Sequence, residues 1–600
     1  MTSQILSAAP PAAPVKARAP WRRDILLGMP VVLFLLVLLI YPVGQLLWMS
    51  VSPADGVLTL DQYARLFHSS VYLDVLGITF KIAGWTTVLA VIGAYPVAYL
   101  TTIAKPGAKS SLLFWILLPF WTSFLVRMFS WIVLLGRNGV INQLLQSLGV
   151  TDAPASLLYN FGATLVGMVH AMMPLAILTM ISVMENIDRN LPRAALTLGA
   201  RPGAAFWLVY FPLSLPGVAA AAIMVFVTSL GFFITPALLG GRRETMITQL
   251  IIDQVQQTMN WGFAGAISML LLVAVLLVFV AYDRLVGLST LAGEASSAGE
   301  RNRGSRGPLR RAGYQLLGAL ANATDLIGRL IPTRARSAEQ NAGGGKLLWT
   351  VVVLVLLFLI LPAFLMIPIS FSSSSALDWP PRGVSMQWYQ EMWDSPTWMS
   401  AAVRSLIVGL GTGVLSMLIG TPTAFLLVRS RMRFKAVFMA FVLLPIIVPR
   451  MIIAVGIFYF FSKVHLVGSA FGLMLGHTVV AIPYVVMTMM AVLKNYDTRL
   501  DQAAYSLGAR PWATLRYVTF PIVGAGLLSS FLFAFVTSFD ELTIALFVTG
   551  GLDATLPKQF WDEVILSVSP TIAAVSTCLF VFIALVIWAA DRLRRRSAAH

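Results

Sequence analysis

The sequence predicts an all-α polytopic membrane protein of about twelve transmembrane helices, arranged as two parallel six-helix repeats. Three observations carry this reading. The 600-residue chain is 58% hydrophobic and only 11% charged, with a mean hydropathy of +0.83, far from the composition of soluble domains. Apolar runs of about 20 residues, enough to cross a bilayer as a helix, recur from one end to the other. A polar phrase, RAALTLGARP at 193–202, returns as QAAYSLGARP at 502–511, 309 residues further on. Recurrence at half the chain length marks a duplicated unit.

The elements follow in order. Residues 1–24 form an Ala/Pro-rich tail ending in Lys16, Arg18, Arg22 and Arg23. The apolar stretch behind it is too long for a signal-peptide core and reads as a retained anchor. The first half, 25–287, carries spans near 26–50, 76–103, 111–135, 162–184, 216–240 and 263–283. A linker at 288–345 opens with Gly, Ser and Arg, a composition that cannot bury a core, and reads as a tether. Within it, Leu316, Leu317, Leu320, Ile327 and Leu330 keep loose helical spacing, the pattern of a short amphipathic helix lying on a surface. The second half, 346–592, repeats six spans near 347–371, 400–428, 437–462, 469–493, 524–549 and 567–590, and 593–600 is a basic tail.

Charge sets the orientation. Basic residues gather in the N-terminal tail, at Lys105 and Lys109, in the linker, at Arg429, Arg431, Arg433 and Lys435, and at Arg592 and Arg594–Arg596. With twelve spans all of these share one side, which the excess of positive charge marks as cytoplasmic, together with both termini. Arg65, Arg137, Arg242 and Arg243 are exceptions on the other side. The net charge of +17 is therefore a property of membrane topology, with lipid and not nucleic acid as the surrounding partner. Cys578 is the sole cysteine and the five histidines are scattered, so neither disulfides nor a metal-ligand spacing is present. No segment matches G-x-x-x-x-G-K-[ST], so an ATP-driven process needs its ATPase on another polypeptide.

Both phrases fall between the fourth and fifth spans of their half, on the cytoplasmic side. Leu191, Ala195 and Leu198, and again Leu500, Ala504 and Leu507, recur at helical spacing, so each phrase predicts a short helix that Gly199 or Gly508 ends. The paired alanines, Ala194-Ala195 and Ala503-Ala504, leave little bulk on one side, which suits a helix that docks in a groove on another protein; packing on its own bundle is the other reading.

The two segments resemble the E-A-A-x-x-x-G-x(9)-I-x-L-P signature of binding-protein-dependent ABC importer permeases. Val209, Phe211 and Pro212 follow Gly199 at the expected positions, and Val518, Phe520 and Pro521 follow Gly508. The leading Glu is Arg193 in one copy and Gln502 in the other, and Pro192 within the first helix predicts that it is the shorter of the two. The resemblance implies an ABC importer permease fold in which Asp188, Leu191, Ala194, Ala195, Leu198 and Gly199, and correspondingly Asp497, Leu500, Ala503, Ala504, Leu507 and Gly508, belong to coupling helices seated in two copies of a cytoplasmic ABC ATPase. It implies a periplasmic substrate-binding protein, a bacterial inner-membrane location, and a chain with no catalytic residues, metal or cofactor of its own. One chain with both copies replaces the usual permease pair.

Other landmarks repeat too. YPVGQLLWMS parallels LPAFLMIPIS, LLPFWTSFLVRM parallels LLPIIVPRM, and Pro174 parallels Pro483, while the first half is about 17 residues longer around an external loop near 136–160. The first half, with LVRMFSWIVLL and ITPALLGG, looks like one subunit of the spermidine/putrescine-type permeases, and the second, with SFDELTIALFVTGG, looks like its partner. Importers of Fe(III) and of aminoethylphosphonate share much of this pattern, and an ion-coupled secondary transporter is the alternative of a different class.

Asp540 and Glu541 fall inside the eleventh predicted span, where a carboxylate requires a cavity, a cation or a cap. They are candidates for the substrate pathway or for capping a broken helix. Neighbours in a helix diverge by about 100°, so one of the two, assigned as Asp540, faces the pathway. Its repeat-mate is Gly231. Arg127 and Arg450, in the third and ninth spans, read as structural cations, and His170 and His477 as polar groups bonded between helices.

Overall fold

The computed structural model describes residues 20–52, 57–285, 315, 317–326, 345–430, 432–550, 553–567 and 569–598, and every regular element among them is helical. Ten helices are long and apolar enough to span a membrane: Leu26–Met49, Ser70–Ile103, Phe124–Ser147, Phe161–Met184, Pro202–Leu230, Trp261–Tyr282, Lys346–Ser370, Pro396–Arg429, Ala470–Lys494 and Pro511–Phe539. The ninth predicted segment is a pair, Lys435–Ile447 and Arg450–Lys463, bent by 89°, and the twelfth holds the shorter apolar helix Pro570–Val586. That last helix continues to Ala598, beyond the predicted boundary at 592.

Three further segments differ from the reading of the sequence. The third is two helices, Pro106–Trp121 and Phe124–Leu135, parted at Thr122 and Ser123. The fifth and eleventh start earlier, with Pro202 and Pro511 at the first helical position, where a missing N–H costs nothing. They stop at Leu230 and Phe539, and short helices Ile234–Leu239 and Thr543–Val548 follow. Hydropathy is blind to all of these breaks because the residues on both sides are equally apolar.

The duplication is visible in the packing. In each half the second helix lies against the fourth and fifth: Ser70–Ile103 on Phe161–Met184 and Phe211–Leu230, and Pro396–Arg429 on Ala470–Lys494 and Phe520–Phe539. A small latch repeats as well. Ser50 Oγ meets Tyr63 Oη at 2.7 Å, and Ser370 Oγ meets Tyr389 Oη at 2.7 Å, each tying the end of a half's first span to a short amphipathic helix behind it.

Each half's first helix bridges the two halves: Leu26–Met49 keeps Trp261–Leu285, and Lys346–Ser370 keeps Pro570–Ala598, as a neighbour in its own half, and both also cross over. Leu26–Met49 packs on Pro396–Arg429 and Arg450–Lys463, whereas Lys346–Ser370 packs on Ser70–Ile103, Pro106–Trp121 and Phe124–Leu135. Gly456 permits the first of these contacts, since a Cβ there would lie 3.1 Å from the backbone of Pro42 and Val43. The interface between halves is thus a continuous apolar core, including Leu46, Val352, Leu359 and Met451.

The two phrases form helices Asn190–Thr197 and Arg499–Ser506, eight residues each. Asp188 and Asp497 precede them, and their carboxylates accept the Asn190 and Arg499 N–H groups at 2.9 Å. Gly199 (φ +88°) and Gly508 (φ +85°) end them in the left-handed region. There the N–H groups of Gly199 and Ala200 bond the carbonyls of Leu196 and Ala195, and those of Gly508 and Ala509 bond Tyr505 and Ala504, all at 3.0 Å. The first helix is not shortened by Pro192, because a proline in the first turn has no intrahelical bond to lose.

Within the linker, residues 317–326 are helical and Ala321 is buried. The tether expectation fails for that stretch. Leu317 is half-buried and Leu320 exposed, while Leu316, Ile327 and Leu330 lie outside the described residues.

Candidate functional site

The two helix breaks and the ends of the fifth and eleventh spans meet where the halves meet. Gly231, which closes Phe211–Leu230, approaches the second half's break so nearly that a Cβ would stand 3.2 Å from Pro449 Cβ. Asp540 closes Phe520–Phe539 in the equivalent way and meets the first half's break, lining one small cavity together with Ser123.

Arg127, one turn into that helix, is 1% exposed, and its guanidinium lies over the Phe124 ring at 4.3 Å. Its Nε and Nη1 have no hydrogen-bond partner, so attraction to Asp540 and the ring face compensates its burial. Arg450 occupies the corresponding place at the second break and is exposed, with Nη2 donating to Tyr484 Oη at 3.4 Å. The Tyr484 ring stacks on Phe533 at 5.2 Å, and Phe533 meets Trp121 edge-on at 4.8 Å. An aromatic band thus crosses from one half to the other beside two arginines and Asp540.

Glu541 has a different employment. It is 1% exposed, and its carboxylate accepts the N–H groups of Thr543, Ile544 and Ala545 at 3.1, 2.8 and 3.4 Å. It is the cap of the short helix Thr543–Val548. His477 Nε2 stands 3.7 Å away, and His477 Nδ1 shares a 2.8 Å hydrogen bond with Ser538 Oγ. His170 joins Phe161–Met184 to Lys346–Ser370 through a 3.1 Å bond from Nε2 to the Leu359 carbonyl. The two neighbouring carboxylates diverge because the chain breaks between them and the next helix, not because they sit on a continuous helix.

On the phrase helices no residue of Asn190–Thr197 is buried, and in Arg499–Ser506 only Asp501 is. Leu198 and Leu507 are each 88% exposed, Leu191 47% and Leu500 43%. Ala194 and Ala503 are exposed, whereas Ala195 and Ala504 are half-buried on their own bundle. The pairs of alanines therefore divide into an outward and an inward member.

A model described as the binding-protein-dependent transport system inner membrane component matches residues 416–598. The spermidine/putrescine transport system permease protein PotB of Haemophilus influenzae is 32% identical over 226 residues, covering 38% of this chain and 79% of that protein. The chain belongs to the binding-protein-dependent transport permease family. PotB of Escherichia coli (strain K12) is 30% identical, covering 38% of this permease and 82% of the relative. PotC of Haemophilus influenzae, also a spermidine/putrescine transport system permease protein, is 28% identical over 38% of the permease and 90% of its own length. With each relative occupying 38% of the chain, the lengths agree with two such units fused into one. A solved chain from a bacterial ABC transporter that imports alginate is 14% identical, with a TM-score of 0.34, covering 44% of the permease and 99% of that chain. The protein is a multi-pass inner-membrane permease of an ABC importer.

One anchor of the permease was missed in the sequence. Asp501, 5% exposed, accepts from Tyr496 Oη at 2.6 Å and Thr519 Oγ1 at 2.9 Å, and pairs with Arg429 Nη1 at 2.9 Å. Burial and the bond to Asp501 push the Tyr496 phenol above its ordinary pKa, which keeps it a donor. Replacing Asp501 with Ala orphans these donors at a cost of about 2 kcal/mol. We expect faster amide exchange across 499–506 in the Asp501→Ala variant, with 190–197 unchanged.

Proposed function

We propose that this permease draws solute from a periplasmic binding protein and is driven by ATP hydrolysis in two copies of a cytoplasmic ATPase seated on Asn190–Thr197 and Arg499–Ser506. The observation that carries the reading is the pair of short helices whose leucines, at 198 and 507, stand 88% exposed at equivalent positions. Exposed leucines at the ends of two helices fixed by left-handed glycines fit a pair of equivalent grooves on a partner. The proposed units are the halves 25–287 and 346–592, with the linker 288–345 and both termini on the ATPase side. Closure of the ATPase pair would push both helices and rock the halves about the breaks at 122–123 and 448–449.

On the opposite face, Asn138 Nδ2 donates to Asp378 Oδ1 at 2.9 Å and the Trp379 N–H to the Asn138 carbonyl at 3.2 Å. Asn142, 1% exposed, holds the longer first-half loop to Gly136 and Ala155. This loop pair makes the outer face asymmetric, as a dock for an asymmetric binding protein requires.

The cargo we favour is a polyamine. Asp540 supplies an anion and Tyr484, Phe533 and Trp121 supply ring faces, a combination that suits extended cations. Exposed Arg450 favours an anionic group instead and keeps aminoethylphosphonate as the second reading. The deciding experiment is ATP hydrolysis by the chain in lipid with a polyamine-type ATPase and binding protein, with and without spermidine. Stimulation that requires every component supports the proposal. Failure of the ATPase to associate, with uptake that collapses when the ion gradient is dissipated, overturns it.

A further inference from the structure

The two phrase helices are held by different means. In the second half, Asp501 locks its helix to Tyr496, Thr519 and Arg429. At the matching positions the first half has Pro192 for Asp501, Ile187 for Tyr496 and Tyr210 for Thr519. No carboxylate can sit at that point. The Arg189 guanidinium instead donates to the Thr102 carbonyl, and Tyr210 Oη lies 3.4 Å from Thr102 Oγ1.

A second contact exists only here. Asp325 Oδ1, from the linker helix at 317–326, accepts the Gly203 N–H at 2.8 Å. Gly203 is the second residue of the span Pro202–Leu230 that follows the phrase, so Asp325 caps that span at the point where the phrase helix hands over to it. A Cβ on Gly203 would lie 2.6 Å from Thr324 Oγ1 and 2.7 Å from both the Ala321 carbonyl and Asp325 Oδ1, so glycine is needed for the linker to come this close. In the other half the position of Gly203 is Trp512, 66% exposed.

We propose that the linker helix is a brace for the first ATPase-docking helix, with Asp325 as a positioning residue that replaces the missing Asp501 network. The inference rests on the docking role given to Asn190–Thr197 above. It makes the two docking sites unequal: the second is anchored by its own half, the first by the segment that joins the halves.

The test is amide hydrogen exchange on the full chain in lipid nanodiscs, paired with solute transported per ATP hydrolysed in the reconstituted complex. Asp325→Ala should raise exchange over 190–206 roughly five- to tenfold, the effect of one lost helix cap, leave 499–506 unchanged, and lower transport per ATP. Asp325→Asn keeps an accepting oxygen and should restore both. Gly203→Ala, which leaves Asp325 unsubstituted but pushes the linker helix away through the added Cβ, should reproduce the Asp325→Ala result. Unchanged protection of 190–206 in both Asp325→Ala and Gly203→Ala overturns the brace. Loosening of 190–206 in Asp325→Ala and Gly203→Ala, together with a wild-type chain that recruits no ATPase, would leave the brace standing and remove the docking role instead.

Discussion

A permease carrying Ala194→Trp together with Ala503→Trp folds, inserts and transports nothing. Both alanines are exposed on helices that bury almost nothing against their own bundle, so an indole at either position meets solvent in the free chain. The same indole fills the space that a partner's groove has to occupy. Loss of one central interface contact costs about 2 kcal/mol or more, roughly thirtyfold in affinity, and two such losses leave no measurable complex at working concentrations. The measurement is ATPase retention on the purified permease beside uptake in vesicles, with amide exchange as the check on folding. Ala195 and Ala504 also belong to the predicted docking surface, but they are half-buried, and bulk there disturbs the seat of each helix on its own chain. Full transport by the 194/503 pair would remove the docking role of both helices.

Asp540→Asn lowers polyamine uptake about tenfold, the equivalent of roughly 1.4 kcal/mol, while ATP hydrolysis persists. Asparagine has nearly the shape of aspartate, so the cavity that position 540 shares with Ser123 at the break stays filled. What disappears is the negative charge beside Arg127, Arg450 and the aromatic band. A cationic cargo then meets two arginines with no anion between them, and the loss should be larger for spermidine than for putrescine because spermidine carries more charge. Asp540→Ala also enlarges the cavity beside Ser123 and should add a loss of thermal stability that the asparagine variant lacks. Unchanged polyamine uptake in Asp540→Asn would reduce the residue to a structural role.

Much of this architecture could be read before any coordinates. The apolar segments and the glycines that end the phrase helices are local signals, each set by a few adjacent residues, whereas the starts of the fifth and eleventh spans at Pro202 and Pro511 are masked because apolar sequence resumes only some residues later. The break at Thr122–Ser123 is not a local signal, because Leu and Phe run on either side of it, whereas at Val448–Pro449 the proline, which favours extended backbone in the residue before it, is a local signal that hydropathy passes over. Asp540 and Glu541 stood out as charges in apolar sequence, yet their separate surroundings depend on Ser123 of the other half and on the start of Thr543–Val548. Asp501 drew no attention, since a lone acid in a polar phrase reads as solvated; only the meeting of Arg429, Tyr496 and Thr519, distant in sequence, makes it an anchor. Asp325 stayed hidden for the same reason within a stretch composed like a tether.

The bridging of the halves by their first helices has a consequence for how such a chain can be recombined. A crossover in the linker that substitutes a related second half also substitutes Lys346–Ser370, the helix that lines Ser70–Ile103 and Phe124–Leu135 of the retained half. It leaves behind Leu26–Met49, which keeps Trp261–Leu285 but loses Pro396–Arg429 and the close approach of Gly456 to Pro42. A working hybrid therefore needs matched surfaces on both first helices, because neither half is a self-contained module.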